Sequence, residues 1–367
     1  MDLRQLNALV AIAEHGSFSA AADALATVQS NVSTHIKKLE IELGSVLVDR
    51  GTGELTEAGV LAVERARRVI GELDALTSDV TALSQEIIGT VQLGLIGTAA
   101  LWLVPEILDL VPTVHPHLHL IFREATTHGL DAQLAAGEID LGVLALPASG
   151  SEVHTVPLFE EDLGLFLPRS HPLAARSVLT VADLASLSLL LPVAGSNYRT
   201  GLDTAAAAAG VTLHPRAELD SLRLMRSLMG ERCGFAILPA SAMPRGRARS
   251  WVVVPVEGVG PRVIGVAQRR RALPGAPVRA VLALLTEILA DPRRTPVGVR
   301  PIFAEPRSDA GSGPSSPRGH AGVASVAERR PARVGRGDRQ GARRGPRPRR
   351  DVIAQVIRAS TPPDHAT

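Results

Sequence analysis

Between Gln29 and Arg50 the chain carries the side chains best suited to chemistry at a charged polymer. Gln29, Ser30, Asn31, Ser33, Thr34 and His35 are short donors and acceptors, and Lys37 and Lys38, the only two lysines in 367 residues, follow directly. Amides and hydroxyls of this kind match the donor and acceptor pattern of base edges in a wide groove, and ammonium groups match phosphates. Gln29, Ser30 and Ser33 are therefore assigned to base contacts, Thr34 and Lys37 to phosphates, and Arg50, further on, to a minor groove. Ser30 has a second reading, as a residue satisfying backbone donors at a helix start. Lys38 equally suits an ion pair with Glu42 at i+4.

Those groups need a rigid support, and the apolar residues between them supply it. Val28, Val32, Ile36, Leu39 and Leu43 recur at steps of four, four, three and four, one stripe of a helix with a period of about 3.6 residues. The stripe predicts a buried ridge with the polar side chains on the opposite face. Ahead of it, Gly16 is placed to end a helix over 3–15, and Ser17 or Ser19 to cap a short Ala-rich helix reaching about Ala26. A tight turn near Thr27 then gives two helices in helix-turn-helix order. After Gly44, the segment 46–48, the turn at Gly51 to Gly53 and Leu55 predict a short hairpin with Arg50 at its shoulder, a wing.

From Ala58 to Ile88 there is no proline, and Ala66, Val69, Leu73, Leu76, Val80, Leu83 and Ile87 alternate steps of three and four. A seam so long and narrow calls for a partner helix. The competing reading is a core helix of one globule. Beyond Gly89 short apolar strands alternate with helices, which predicts an α/β domain with a mostly parallel sheet. Ligands bind such sheets at loops that follow strands and open helices. Thr98 and Ala99, Thr126 and Thr127, and Asn197 with Arg199 occupy three such loops. Together they could hold a small anion or carboxylate, with Arg199 supplying charge; each is equally suited to capping a helix. From Asp291 onward Pro, Gly, Ser and Arg dominate, and 296–367 is expected to be a disordered tail.

The pieces MDLRQLNALVAIAEHGSFSAAADAL, TVQSNVSTHIKKLEIELG and LVDRGTGELTEAG, with GTVQLGLIG, LAAGEIDLGV, SHPLA, LTVADLA and GERCGFAILP downstream, resemble the LysR-type transcriptional regulators over about residues 1–290. The resemblance implies an all-α winged helix-turn-helix domain (1–60), a linker helix (58–88) that pairs two chains, and a two-lobed, periplasmic-binding-protein-like effector domain (89–295). Lobe I would comprise about 89–161 and 266–290, and lobe II about 162–265. It further implies a cytoplasmic regulator that binds a dyad operator as a dimer or tetramer and senses a small metabolite, an anion or an amino acid. The Thr98 and Thr126 loops are then the better effector positions, with Leu146, Pro147 and Phe235 near the pocket floor. The wing departs from the family pattern in holding a single cation, Arg50.

Charge qualifies that expectation. Residues 291–367 hold 16 of the 39 basic residues and 7 of the 37 acidic ones, so the body is net acidic and the tail strongly basic. Residues 1–60 carry Arg4, Lys37, Lys38 and Arg50 against eight acids. Affinity for DNA must then come from local placement and from pairing of chains. The single cysteine, Cys233, excludes a disulfide within the chain and suits a reducing cytoplasm. A redox switch through it would need a partner chain. No apolar signal region opens the chain, and no membrane partner is expected. His115, His117 and His119 share one face of an extended segment, but no acidic or thiol ligand stands near them in sequence, so no metal is expected. Neither a nucleophile elbow nor a phosphate loop occurs, so no enzyme and no cofactor is expected. The rival reading is an α/β small-molecule-binding protein or enzyme whose N-terminal helices only dimerise.

Overall fold

The computed structural model describes residues 1–302 except 84, 85, 149, 151, 231, 244–249, 271 and 272, and except the side chain of Asn197. The expected tail from 303 onward lies outside the described residues.

Helix α1 (Leu3–His15) opens with a reciprocal cap: the Gln5 amide donates to the Asp2 carboxylate while the Asp2 amide donates to the Gln5 side chain. It ends at Gly16, whose φ of +73° an L side chain rarely adopts. Ser17 caps α2 (Phe18–Ala24) through a bond from the Ala20 amide, and α3 (Gln29–Leu43) follows. Between them Ala26 takes φ +51°, which makes the turn tight. The three helices enclose Leu6, Leu9, Ile12, Ala21, Val32, Ile36 and Leu39 with Leu47 and Val48. The ridge is shorter than the sequence spacing implies. Val28 has extended backbone at the helix N-cap and is 59% exposed, and Leu43 opens to the surface at the other end. Only Val32, Ile36 and Leu39 are turned fully inward.

The wing is a single bridge between Val48 and Leu55. Helix α4 (Glu57–Ala82), capped by Thr56, leaves it and approaches so closely that a Cβ on Gly59 would sit 2.0 Å from the Leu47 carbonyl oxygen. Val63 and Ala66 pack on the helix-turn-helix core. Past them the seam lies open: Val69, Leu73, Leu76, Val80 and Leu83 are exposed, Leu76 and Val80 to about 60%. An apolar groove of about 570 Å³, lined by Leu3, Leu6, Leu39, Leu43, Leu61 and Val69 among others, continues this face.

After α4 the chain builds two α/β lobes. β1 (Gly89–Leu95), α5 (Gly97–Val114), β2 (Leu118–Glu124), α6 (Thr127–Ala136), β3 (Leu141–Ala145) and β4 (Val153–Glu161) lead into β5 (Leu163–Pro168) of the second lobe. There follow α7 (Val181–Leu184), β6 (Leu189–Pro192), α8 (Asn197–Ala208), β7 (Pro215–Leu219), α9 (Leu222–Leu228), β8 (Phe235–Pro239) and β9 (Trp251–Pro255). The chain returns through β10 (Arg262–Arg269), α10 (Ala276–Ala290) and β11 (Val299–Pro301). The first sheet has the order β11-β4-β10-β3-β1-β2 and the second β7-β6-β8-β5-β9. β1 runs parallel to β2 and β3, as the intervening helices require, whereas the crossover strands β4 and β10 pair antiparallel. Apolar side chains on both faces of the first sheet, from Val91 and Leu93 to Leu284 and Ile288, form the largest core.

Two boundaries move. The return to lobe I begins at Arg262, four residues ahead of the expected 266, because Arg262 to Arg269 pairs along the whole of β4. The segment from 296 is ordered through Ile302: Val299 to Pro301 adds an edge strand to β4, with Val299 buried and Arg300 paired to Asp162 and Glu160. Helix α5, apolar and long enough by composition alone to cross a bilayer, is a core helix here. It buries Trp102, Leu103, Ile107 and Val111 against the sheet, and Trp102 meets Phe159 edge to face at 5.4 Å.

Candidate nucleic-acid interface and inter-lobe cleft

Because Val32, Ile36 and Leu39 face inward, the other side of α3 is presented to solvent. Gln29, Ser30, Thr34, Lys37 and Lys38 are exposed there and Ser33 is half-buried among them. The Thr34 hydroxyl donates to the Ser30 carbonyl oxygen at 2.7 Å, and the Asn31 amide donates to Thr27 at 3.0 Å across the turn. Thr34 is thus pre-oriented by its own helix, with acceptor capacity left over. Lys38 was open to pairing with Glu42; the Glu42 carboxylate instead takes the Met1 amine.

A carboxylate holds the wing in place. Glu40 Oε1 accepts the amides of Leu47 at 2.9 Å and Val48 at 3.4 Å, and its other oxygen lies 3.4 Å from the Arg50 guanidinium. Arg50 stays more than half exposed. At the hairpin tip Asp49 accepts from Gly51 and Thr52. No sequence spacing pointed to Glu40, since its partners follow only from the chain's return after Gly44.

Of the ligand residues expected from sequence, Thr98 is buried at the start of α5, and its hydroxyl accepts a bond from Arg262. Ala99 turns its methyl into the lobe I core and offers the cleft no side chain. Thr126 caps α6 by accepting the Gly129 amide, and Thr127 accepts the Ala145 amide, so both hold their loops as helix-end residues do. The Asn197 side chain lies outside the described residues. Arg199 does not present a free charge. Its guanidinium is held by Asp203 at 2.8 Å, Glu218 at 2.6 Å and the Pro192 carbonyl at 3.0 Å. That arrangement raises its pKa, the Asp203 hydrogen bond first among the causes. It ties α8 to β6 and β7.

Sequence reasoning missed the ion pair that joins the two lobes. Glu161, the last residue of β4, and Arg262, the first of β10, face each other in register on the two crossovers. Arg262 Nε and Nη2 lie 2.7 and 2.6 Å from Glu161 Oε2, and Glu161 Oε1 accepts from the Ser241 hydroxyl at 2.7 Å. Glu161 is wholly buried. The guanidinium also lies 5.9 Å above the Tyr198 ring, whose hydroxyl donates to the Ile237 carbonyl. Burial pushes the Tyr198 phenol well above its ordinary range. One ion pair thereby touches lobe I through Thr98 and lobe II through Ser241 and Tyr198. Nearer the surface, Arg223 of α9 pairs with Glu124 at the end of β2, again from lobe to lobe. No group of three or more potential metal-ligating side chains occurs among the described residues.

The body of the molecule grips α4 directly. Arg67 reaches both Glu14 of α1 and Glu138 after α6, Arg68 donates to the Ala135 carbonyl, and Asp79 accepts from the Ala276 amide and from Arg279. Lobe I is therefore tied by ion pairs and hydrogen bonds to the helix that leads into the helix-turn-helix head.

Comparison with known proteins agrees with this division. Residues 3–60 match the family of bacterial regulatory helix-turn-helix proteins of the lysR family, and residues 84–290 match the LysR substrate binding domain. The chain is 35% identical over 293 residues to the DNA-binding transcriptional dual regulator OxyR of Escherichia coli K12, covering 79% of this chain and 95% of that one. It is 34% identical over 252 residues to a probable hydrogen peroxide-inducible genes activator of Mycobacterium avium, covering 67% and 80%. A full-length OxyR variant from Pseudomonas aeruginosa superposes with a TM-score of 0.63 at 27% identity, covering 78% of this chain and 96% of that one. CbnR bound to its target DNA shares the fold, with a TM-score of 0.57 at 24% identity over 78% and 98% of the two chains. A helix-turn-helix head, an α4 seam open for a second chain and a two-lobed domain, matched along nearly their whole length, make the chain a LysR-type DNA-binding transcriptional regulator with an effector-binding domain.

Proposed function

We propose that α3 enters the major groove of a dyad operator, with Gln29, Ser30 and Ser33 at base edges, Thr34 and Lys37 at phosphates, and Arg50 on the wing at the adjacent minor groove. The observation that carries this is the opposed burial of α3: Val32, Ile36 and Leu39 are sealed while Gln29 and its neighbours are free. Two heads joined through α4 would read half-sites separated by whole turns of the duplex. A cytoplasmic setting suits this role. A small effector bound between the lobes, against Thr98 and the Thr126 and Thr127 loop with Asn197 opposite, shifts lobe closure, and the Arg67 and Asp79 contacts pass the shift to α4.

The effector's class follows from which charges are spare. An anion was the expectation while Arg199 was counted as a ligand, and with Arg199 committed to Asp203 and Glu218 the amino-acid alternative fits better. The peroxide response in the relatives' names does not transfer as a disulfide within one chain, because Cys233 is the only cysteine. Cys233 is exposed. The test is a footprint of the full chain on the DNA upstream of its own gene: protection of a dyad in two patches one turn apart supports the reading. No protection at all argues for the rival in which the N-terminal helices only dimerise, and uniform coating without a preferred site argues against base readout by α3.

A further inference from the structure

A cavity of about 680 Å³ lies where α1 and α4 meet lobe I, within the range of about 300–1,000 Å³ that small-ligand sites take. Glu14 of α1 and Asp74 of α4 line one side, and Gln92, Asp140 and Arg269 of lobe I the other. A Cβ on Gly71, also in the lining, would meet nothing within 4 Å. Asp74 and Ser78 stand on the opposite side of α4 from Leu76 and Val80, so pairing of chains through the seam leaves this space open. None of Thr98, Thr126, Thr127 and Asn197 borders it. It is a different place from the space between the lobes.

The lining carries charges that the protein leaves unmatched. It holds five carboxylates against three guanidiniums, and Arg67 is taken by Glu14 and Glu138 together. Among the described residues the Arg269 guanidinium and the Asp74 carboxylate make no hydrogen bond or ion pair, and Asp140 accepts the Gln92 amide at 2.8 Å without reaching a cation. Glu72 and Arg123, both exposed, add one charge of each sign. Burial lowers the pKa of Arg269, with repulsion from Arg68 adding to it, and burial raises that of Asp140, where Asp74 also repels. Each of these groups gains from an opposite charge brought into the cavity. We infer that the cavity is a second ligand site and takes a small zwitterion bearing one further cationic group, the chemistry of a basic amino acid, with its carboxylate at Arg269 and its two cationic nitrogens at Asp140 and Asp74. Two anions and one cation on the wall are the complement of that ligand, joined by charge-assisted hydrogen bonds. Bound there, it bridges α4 to lobe I alongside the Arg67 contacts.

The test is isothermal titration of the full-length protein with L-lysine, with L-norleucine, which lacks the terminal ammonium, and with cadaverine, which lacks the carboxylate. L-lysine should bind saturably and the other two about tenfold more weakly or worse. Asp74→Asn and Asp140→Asn, the latter keeping an acceptor for the Gln92 amide, should each weaken L-lysine by about tenfold or more. Arg269→Gln should bring L-lysine down to the level of cadaverine and leave cadaverine unchanged. Should Asp140→Asn fail to fold, Asp74→Asn carries the test, since its side chain is exposed and holds no structural partner among the described residues. Absence of saturable L-lysine binding would overturn the inference, as would L-norleucine or cadaverine binding as tightly as L-lysine. L-lysine binding that Asp74→Asn leaves intact would overturn it too, placing the ligand elsewhere. An effector held between the lobes is indifferent to Asp74→Asn, because α4 belongs to neither lobe, so the two sites are read apart.

Discussion

Two glycines of α4 set up an internal control on how the wing is held. A methyl group at Gly59 would stand 2.0 Å from the Leu47 carbonyl oxygen and 3.0 Å from its carbon, both backbone atoms, whereas at Gly71 nothing lies within 4 Å. Alanine in a helix interior gains about 1 kcal/mol over glycine, so helix propensity alone makes both substitutions stabilising. At Gly59 the wing must retreat by more than an ångström to reach ordinary contact. That strains the Leu47 and Val48 amides on Glu40 and the Thr56 hydroxyl bond to the Val46 carbonyl. Overpacking of this kind costs about 1–3 kcal/mol, leaving a net loss of up to about 2 kcal/mol. For a unit the size of the DNA-binding head that lowers its melting temperature by several degrees, at about 4–8 °C per kcal/mol. Circular dichroism melts of the full-length Gly59→Ala and Gly71→Ala proteins, each paired with an operator titration, read the difference. Gly59→Ala should melt lower and bind operator more weakly, and Gly71→Ala should melt slightly higher and bind normally. If both variants rise together, the wing is not seated on Gly59 and the argument fails.

Charging the open seam with Leu76→Glu and Val80→Glu together should split the assembly into monomers without unfolding them, since both side chains are about 60% exposed in the single chain. Sedimentation velocity reads the mass, and an unchanged oligomer would place the interface elsewhere. His115 and His154 are both held below the ordinary histidine value of 6.5, chiefly by burial and for His154 also by Arg270. A base with a depressed pKa contributes stability that is complete above 6.5 and lost as pH falls below it, because the unfolded chain then binds more protons. Urea midpoints should therefore drop on going from pH 7.5 to 5.5, and His154→Gln should flatten that drop; a slope unaltered in the variant would assign it to other groups. Glu40→Ala frees Arg50 while removing the acceptor of the Leu47 and Val48 amides. It should destabilise the head by about 1–3 kcal/mol, the cost of stranding buried donors, a loss visible in the same melts.

The helices of the head and the seam were legible because their signals are local: Gly16 at the end of α1, Val32, Ile36 and Leu39 in α3, and Val69 to Val80 in α4. Spacing misjudged Val28 and Leu43 because periodicity does not mark where a helix starts or where the neighbouring elements stop covering it. The cleft was legible only in part. That Thr98 and Thr126 open helices after strands could be read from their segments, and the Arg199 to Asp203 pair is an i+4 spacing in plain view. Glu218, which completes the capture of Arg199, is 19 residues away and enters through β7. The Glu161–Arg262 pair spans 101 residues and exists only because both crossovers pass side by side. Its one sequence signal was a charge at the end of each of two apolar strands, a pattern that more often marks a solvated strand terminus. Arg300 misled in the opposite sense: a Pro-, Gly- and Arg-rich context hid a strand that Asp162 and Glu160 anchor.

The orientation of α3 is tested most directly by the operator and random-sequence affinities of Gln29→Ala and Ser33→Ala, measured side by side at one salt concentration. Operator binding by Gln29→Ala should weaken by roughly 1–3 kcal/mol, with a smaller loss for Ser33→Ala, while affinity for random duplex stays level. Equal losses on both DNAs, or none on either, would contradict an α3 that reads bases through its exposed face.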